Sequence, residues 1–449
     1  MNVTERRIGL EQEFFLVNGE GVISDRADEF LQGCHLMAEA QGCNPGYFVP
    51  EFVKCMVEIN TPPAYTGTEL AKEYLNNLKL AIAVGRQMNL RLYPLSSYPL
   101  HIMPVMRDKP NYHIQARTVG YERFLHAGKC TGTHLHLEVP PGVIDPRVAV
   151  SYNSTAAARE ELLNIYNLAT ALDSALISLV RACPFYEGMA IGLASHTIRY
   201  RGSEVFGWEG VYTHLQPVGG LMPYADCVES LVEQQFSRYY AWLEAMDKAG
   251  VERHKFWEAG GSLLRSAWNP VRLNRLGTVE IRCIDSNYPS VILAAISLLE
   301  KAAHRVRREQ LTVRPVKGLH IFEWSSDRLL VPDFEYLNGD LLYAAATEGV
   351  KHPQVKAYVD SILQFAIADG GEGAKYLTKL RNELDNYQTI EAEILQEFSP
   401  ATAQLSVEEG LRIVRECCDK LEAQVAWLDS EHPLATLDTE MMLSDFSCS

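Results

Sequence analysis

Thr278-Val279-Glu280-Ile281-Arg282-Cys283-Ile284 alternates apolar and ionisable side chains, and that alternation sets the fold class. Side chains at i and i+2 on a strand share a face, so Glu280 and Arg282 lie together while Val279, Ile281 and Cys283 point the other way. The same pattern recurs in distant parts of the chain. In Ile8–Val17, Glu11 and Glu13 share a face, backed by Leu10, Gln12, Phe14 and Leu16. In Cys130–Val139, His134, His136 and Glu138 share one, backed by Leu135, Leu137 and Val139. A single strand of this kind is what any half-exposed antiparallel sheet shows. Three of them, rich in Glu and His and poor in Lys, point instead to carboxylates gathered in a cavity. Crowded carboxylates raise one another's pKa unless a cation neutralises them, and a divalent metal with hard oxygen ligands is the natural partner.

A fourth segment, Pro50-Glu51 through Glu58-Ile59-Asn60-Thr61, adds Glu58 on a face with Met56 and Asn60. On one straight strand Glu51 would face away from Glu58, so it joins the cluster only from a turn, helix end or bulge after Pro50. Arg199 and Arg201, in Ser195–Gly202, stand with Arg272, Arg275 and Arg282 where they could face the acidic site. Arg282, beside Glu280, is the best placed to clamp a carboxylate or a transferring phosphoryl group. The His134-x-His136 spacing also fits a transition-metal hydrolase or a cupin-like site. Carboxylates dominate its surroundings, however, and His101, His113, His126, His196 and His214 stand singly and read as structural. There is no P-loop and no Gly-x-Gly-x-x-Gly helix entry, so a bound nucleotide would be held through metals and Arg.

The rest of the chain sets bounds. Its 449 residues are 47% hydrophobic and 22% charged, an ordinary globular balance. The charge, 41 − 57 = −16, weighs against nucleic acid and anionic membranes as partners. No run nears the roughly 18 apolar residues of a membrane span. No signal-peptide core follows Met1. The ten cysteines include no Cys-x-x-Cys pair, so reduced thiols and a cytoplasmic location are expected. Helical patterns over Thr68–Leu90, Ala156–Ala182, Pro223–Ala249 and Val291–Arg307 interrupt the strands. From Pro332 onward helices follow one another, over Asp333–Thr347, Pro353–Ala368, Ala374–Glu397 and Val407–Leu428. The expectation is an α+β core over residues 1–310 and a mainly helical region over 311–449, packed on the core or extending it.

Taken in order, Gly9-Leu-Glu11-Gln-Glu13-Phe14, Pro50-Glu51 with Glu58-Ile-Asn-Thr61-Pro62, Gly132-Thr-His134-Leu-His136 and Gly277-Thr-Val-Glu280-Ile-Arg282-Cys-Ile-Asp285 form a known pattern. It resembles the glutamate–cysteine ligase superfamily, in particular its type-2 carboxylate–amine ligase branch. Trp268–Asp285 is the most specific segment. The resemblance implies a curved antiparallel sheet funnel, flanked by helices and related to the catalytic fold of glutamine synthetase, that binds ATP with two or three Mg²⁺ ions. It implies metal ligation by Glu11, Glu13, Glu51, Glu58, His134 and Glu280, and a match of His136 to the branch's second His. Arg282 and Arg199, with Arg201 as the alternative to Arg199, would hold phosphoryl and substrate carboxylate groups, and Arg275 would join the nucleotide contacts. The implied activity is ATP-dependent joining of the γ-carboxylate of L-glutamate, or a related carboxylate, to a small amine through an acyl phosphate. L-cysteine is the first guess for the amine, as in glutathione biosynthesis. The extra helical tail would form a homodimer contact or cover the funnel. The competing classes are the metal-dependent hydrolase led by His134 and His136, and a non-catalytic nucleotide-binding member of the fold.

Overall fold

The computed structural model describes residues 6–370, 377, 381, 389–398 and 404–430. Its largest sheet has seven strands: β1 (Ile8–Asn18), β2 (Phe48–Pro50), β3 (Met56–Asn60), β4 (Leu90–Tyr93), β5 (Gly132–Glu138), β6 (Val271–Asn274) and β7 (Thr278–Asp285). They run in the order β6-β7-β5-β1-β3-β2, every pair antiparallel. Strand β4 also pairs with β1, along Phe15–Asn18. Phe15 pairs with Met56 of β3 and with Tyr93 of β4, so β4 takes over the edge of β1 that β5 leaves at Gln12.

The register turns the sequence alternation into one ionisable surface. Glu11 lies opposite His134 on one side and Asn60 on the other, Glu13 opposite Glu58, and Glu280 between His136 and Arg272. Strands β7 and β5 stay in step only as far as Ile281 opposite Leu135. The next pair is Ile284 with Thr133, so β7 carries one extra residue at a bulge. The bulge brings Asp285 opposite Gly132, where its carboxylate accepts from the His196 N–H (2.8 Å) and the Ala182 N–H (2.9 Å).

Behind the sheet, Leu10, Phe14, Leu135, Leu137, Val279 and Ile281 are buried against helices. Gln12, which shares this apolar side, is satisfied by Tyr74 and by Asn287 O. Helix α1 (Gly67–Met88) starts at Thr66, whose hydroxyl caps the Glu69 N–H, two residues before the Thr expected from sequence. Helix α2 (Ala156–Val180) is capped by Thr155 and is buried at every position from Asn164 to Val180. By length and composition α2 could cross a membrane; here it is the core helix, packed on β7 and on α3 (Pro289–Arg308).

The region after residue 310 is mainly helical but opens with three short strands, Thr312–Val316, Glu323–Trp324 and Arg328–Pro332. They are too short for periodicity to separate them from loops. Helix α4 (Val407–Ser430) begins with a reciprocal cap between Ser406 and Glu409. It packs on α1, β4 and α3, and Glu422 binds both Arg86 and Arg91. Of the helix expected over 374–397, Ile390–Glu397 is present; most of the remainder falls outside the described residues. There, Glu391 forms a buried 2.9 Å ion pair with Arg181, which ties this segment to the end of α2.

Candidate active site

Three overlapping groups of side chains sit on the ionisable face of the sheet: Glu11–His136–Glu280, Glu11–Glu58–His134 and Glu13–Glu51–Glu58. Within each, ligand-capable atoms from all three residues lie within 4.8 Å of one another. Glu11 and Glu58 each belong to two triads, so the groups form a connected row. All six residues expected as ligands fall in the row, and His136 joins it. The two histidines separate into different triads, so among the described residues they do not form one two-His centre.

Glu51 enters from the turn between β2 and β3, as its spacing required. Arg107 holds that turn through a 2.7 Å bond from its Nε to Glu51 O, and Val53 bridges to Met106. Glu13 accepts from the Gly132 N–H at 2.7 Å. Gly132 has no room for a side chain, since a Cβ there would come 2.7 Å from the His196 ring. Glu280 is completely buried, bracketed by Arg272 (2.8 and 3.0 Å) and Arg282 (2.6 Å) and touched by Asn274.

Electrostatics divides the carboxylates into two groups. Burial raises the Glu280 pKa, but Arg272 and then Arg282 outweigh it and hold the group well below the usual range. Burial likewise opposes ionisation of Glu11, and its contacts with His134 and His136 overcome it. Glu13 and Glu58 are pushed well up, by burial first and then by their carboxylate neighbours, and burial also raises Glu51. Three crowded carboxylates, one buried and two half-buried, with Arg282 as the cation of their cavity, form an unfavourable arrangement that a divalent ion would relieve. Burial, then the charge of Arg282, lowers the His134 pKa to about 4, so its ring is neutral. Its Nδ1 is 3.2 Å from Glu11, while its buried Nε2 has no hydrogen-bond partner. A neutral imidazole with an orphaned nitrogen beside clustered carboxylates suits a hard divalent cation.

The triads border two cavities. One, of about 260 Å³, is lined by Glu11, Glu13, Glu51, Glu58, His134 and Arg282, with Phe52, Met56, Tyr112, Phe124, Tyr200 and Trp268 as walls. The other, of about 370 Å³, reaches Glu11 and His136 from the side of Arg7, Tyr47 and Thr61. Arg282 is the cation of the first cavity, and its buried Nε has no partner.

The structure places the other expected arginines elsewhere. Arg199 stacks over Tyr186 at 4.6 Å and does not line the acidic cavity; its neighbour Tyr200 does. Residues His196–Arg201 form a π-helical turn that stacks His196 on Tyr200 (4.7 Å) and turns Arg199 away. Arg201, the alternative, is buried in a 2.9 Å pair with Asp173 of α2. Arg275 lies in the β6–β7 turn at the mouth of a separate cavity, and Arg272 is the residue that reaches Glu280. Hairpin pairing could have identified Arg272: with Asn274 opposite Thr278, Arg272 falls opposite Glu280. Tyr112 and Tyr200 come from helix and π-turn segments that carry no comparable signal in the sequence, whereas Trp268 opens the specific segment Trp268–Asp285.

An antiparallel sheet bearing overlapping acidic triads and backed by helices is a mixed helix-and-sheet fold with its ionisable groups gathered on one face. Residues 7–339 match glutamate–cysteine ligase family 2, and the chain belongs to that family. Among solved structures, the bifunctional glutathione synthetase from Pasteurella multocida is similar in fold, with a TM-score of 0.59 at 15% identity over 94% of this chain. This chain spans about half of that protein's length, 53%. The glutamate–cysteine ligase from Francisella tularensis, solved with AMP, has a TM-score of 0.49 at 12% identity, covering 98% of this chain and 97% of its own. No curated protein sequence matches the chain.

Proposed function

We propose that this protein is an ATP-dependent ligase that joins the γ-carboxylate of L-glutamate, or a related acid, to a small amine. The connected row of triads is the observation that carries this proposal. A carboxylate is a poor acylating agent because its leaving group would be oxide. Transfer of the γ-phosphoryl group of ATP to it gives an acyl phosphate and ADP. The amine then attacks the acyl carbon, loses a proton and expels phosphate to leave an amide. Such a transfer needs alignment and charge neutralisation more than covalent help from the protein. Bound Mg²⁺ would neutralise the phosphates, with Glu11, Glu13, Glu51, Glu58, His134, His136 and Glu280 as its holders, and three triads leave room for two or three ions.

The protein's own groups account for the rest. Arg282, with donors left over from Glu280, would hold an oxygen of the transferring phosphoryl group or of the substrate carboxylate. The cavity beside His136, with Ile8, Leu10, Pro63 and Leu276 in its wall, offers an apolar seat for a nucleotide base. The first cavity would take the acid and the amine, and L-cysteine remains the first candidate. All nine described cysteines are free thiols, in keeping with a cytoplasmic enzyme.

The test is ADP release with Mg²⁺, using a panel of acids with and without candidate amines. Release that requires Mg²⁺, glutamate or a related acid, and an amine is the expected outcome. Turnover without nucleotide would favour the hydrolase, and nucleotide binding with no release under any pairing would favour a non-catalytic member of the fold.

A further inference from the structure

A third cavity, of about 500 Å³, adjoins the acidic one and shares Asn111, Tyr112, Gln115 and Trp268 with it. Its character is the opposite. No Asp or Glu lines it, although the chain carries a net charge of −16. Lys109, Arg265 and Arg275 line it and are exposed, and among the described residues none of the three has a carboxylate partner. Arg265 and Arg275 are close enough for their charges to oppose one another. Trp242, Phe256 and Leu264 form an apolar part of its wall, and Asn111, Gln115, Arg272 and Asn274 make the rest of the lining polar. Trp242 is fully buried, yet its indole Nε1 has no hydrogen-bond partner. One helical turn before it, the fully buried Arg238 also lacks a carboxylate and reaches only Asn269, at 3.2 Å.

We propose that this annex binds an organic carboxylate carried on an aromatic or apolar stem, as the non-reacting acidic end of a substrate. Guanidinium groups without a carboxylate partner are donors suited to a carboxylate, and the rings of Trp242 and Phe256 shelter the stem. A nucleotide base would leave the three cations unused, and the cavity beside His136 already offers it a seat. The assignment to a substrate rests on the ligase function; the binding itself does not.

The test titrates the full chain in EDTA with 3-phenylpropionate, with its neutral amide and with AMP, following tryptophan fluorescence. Removing divalent ions separates the annex from the triads. The carboxylate is expected to bind at least about tenfold more tightly than the amide, and the double variant Arg265→Ala/Arg275→Ala to lose that preference. Both residues are exposed, and an unchanged thermal melt checks that the variant is folded. Equal binding of acid and amide, or wild-type affinity in the double variant, overturns the proposal. So does AMP binding more tightly than the acid and being lost in the double variant, because the annex would then be a phosphate site. In the ADP-release assay the double variant should raise KM for an acid or amine substrate and leave KM for ATP unchanged; a raised KM for ATP alone overturns the substrate assignment. Absence of ADP release in the wild type would remove the ligase function while leaving the fluorescence result to stand by itself.

Discussion

Glu11→Gln should lower turnover by at least about two orders of magnitude while leaving the protein folded. Among the described residues Glu11 is the one carboxylate that lines both cavities, and it belongs to two triads, so its loss would weaken two proposed cation sites together. Its side chain keeps a quarter of its surface exposed, and its partners are histidines rather than a buried guanidinium. The expected stability change is therefore small, about 1 kcal/mol or less. Steady-state ADP release across a Mg²⁺ titration, together with a thermal melt, checks both parts. A variant whose turnover stays within a few-fold of wild type at saturating Mg²⁺ would show that Glu11 holds no essential ion.

Glu280→Gln is expected to cost stability as well as turnover. The family resemblance gives Glu280 the role of a metal ligand. In the structure it is also the shared anion of Arg272 and Arg282, with no exposed surface. Removing its charge leaves two guanidinium groups facing each other, which costs about 3 kcal/mol or more for a buried pair. Urea denaturation would measure that loss. Arg282→Lys separates the two roles: an ammonium still balances Glu280 but cannot reproduce the two-pronged guanidinium. Its expected signature is strongly impaired ADP release with most of the stability retained. Near-wild-type kinetics for Arg282→Lys would exclude Arg282 from the phosphoryl or carboxylate clamp. Unchanged urea stability for Glu280→Gln would show that the buried pairing contributes little.

The strands and their ionisable faces were legible in the sequence because a period of two is a local property. Ile8–Asn18, Met56–Asn60, Gly132–Glu138 and Thr278–Asp285 all lie where alternation placed them. Glu51 was legible only as a condition, a turn after Pro50, because no local pattern shows that Arg107 pins that turn. The bulge after Ile281 was not legible, since one extra residue becomes visible only against the partner strand. Where the other arginines point was not legible for a similar reason. Arg199, Arg201 and Arg275 lie in a π-turn and a hairpin loop, where side-chain direction follows tertiary contacts rather than periodicity. The annex has no signature in the sequence because Lys109, Trp242, Arg265 and Arg275 come from separate segments and share no spacing.

The central claim is that far-apart strands jointly hold divalent cations in a row beside the reacting groups. Anomalous scattering from crystals grown with Mn²⁺ and a non-hydrolysable ATP analogue tests it most directly. Manganese peaks within bonding distance of Glu11, of Glu58, and of the oxygens or ring nitrogens that complete their triads are the expected result. Peaks confined to other surfaces, or an ordered nucleotide with no metal at any triad, would contradict it.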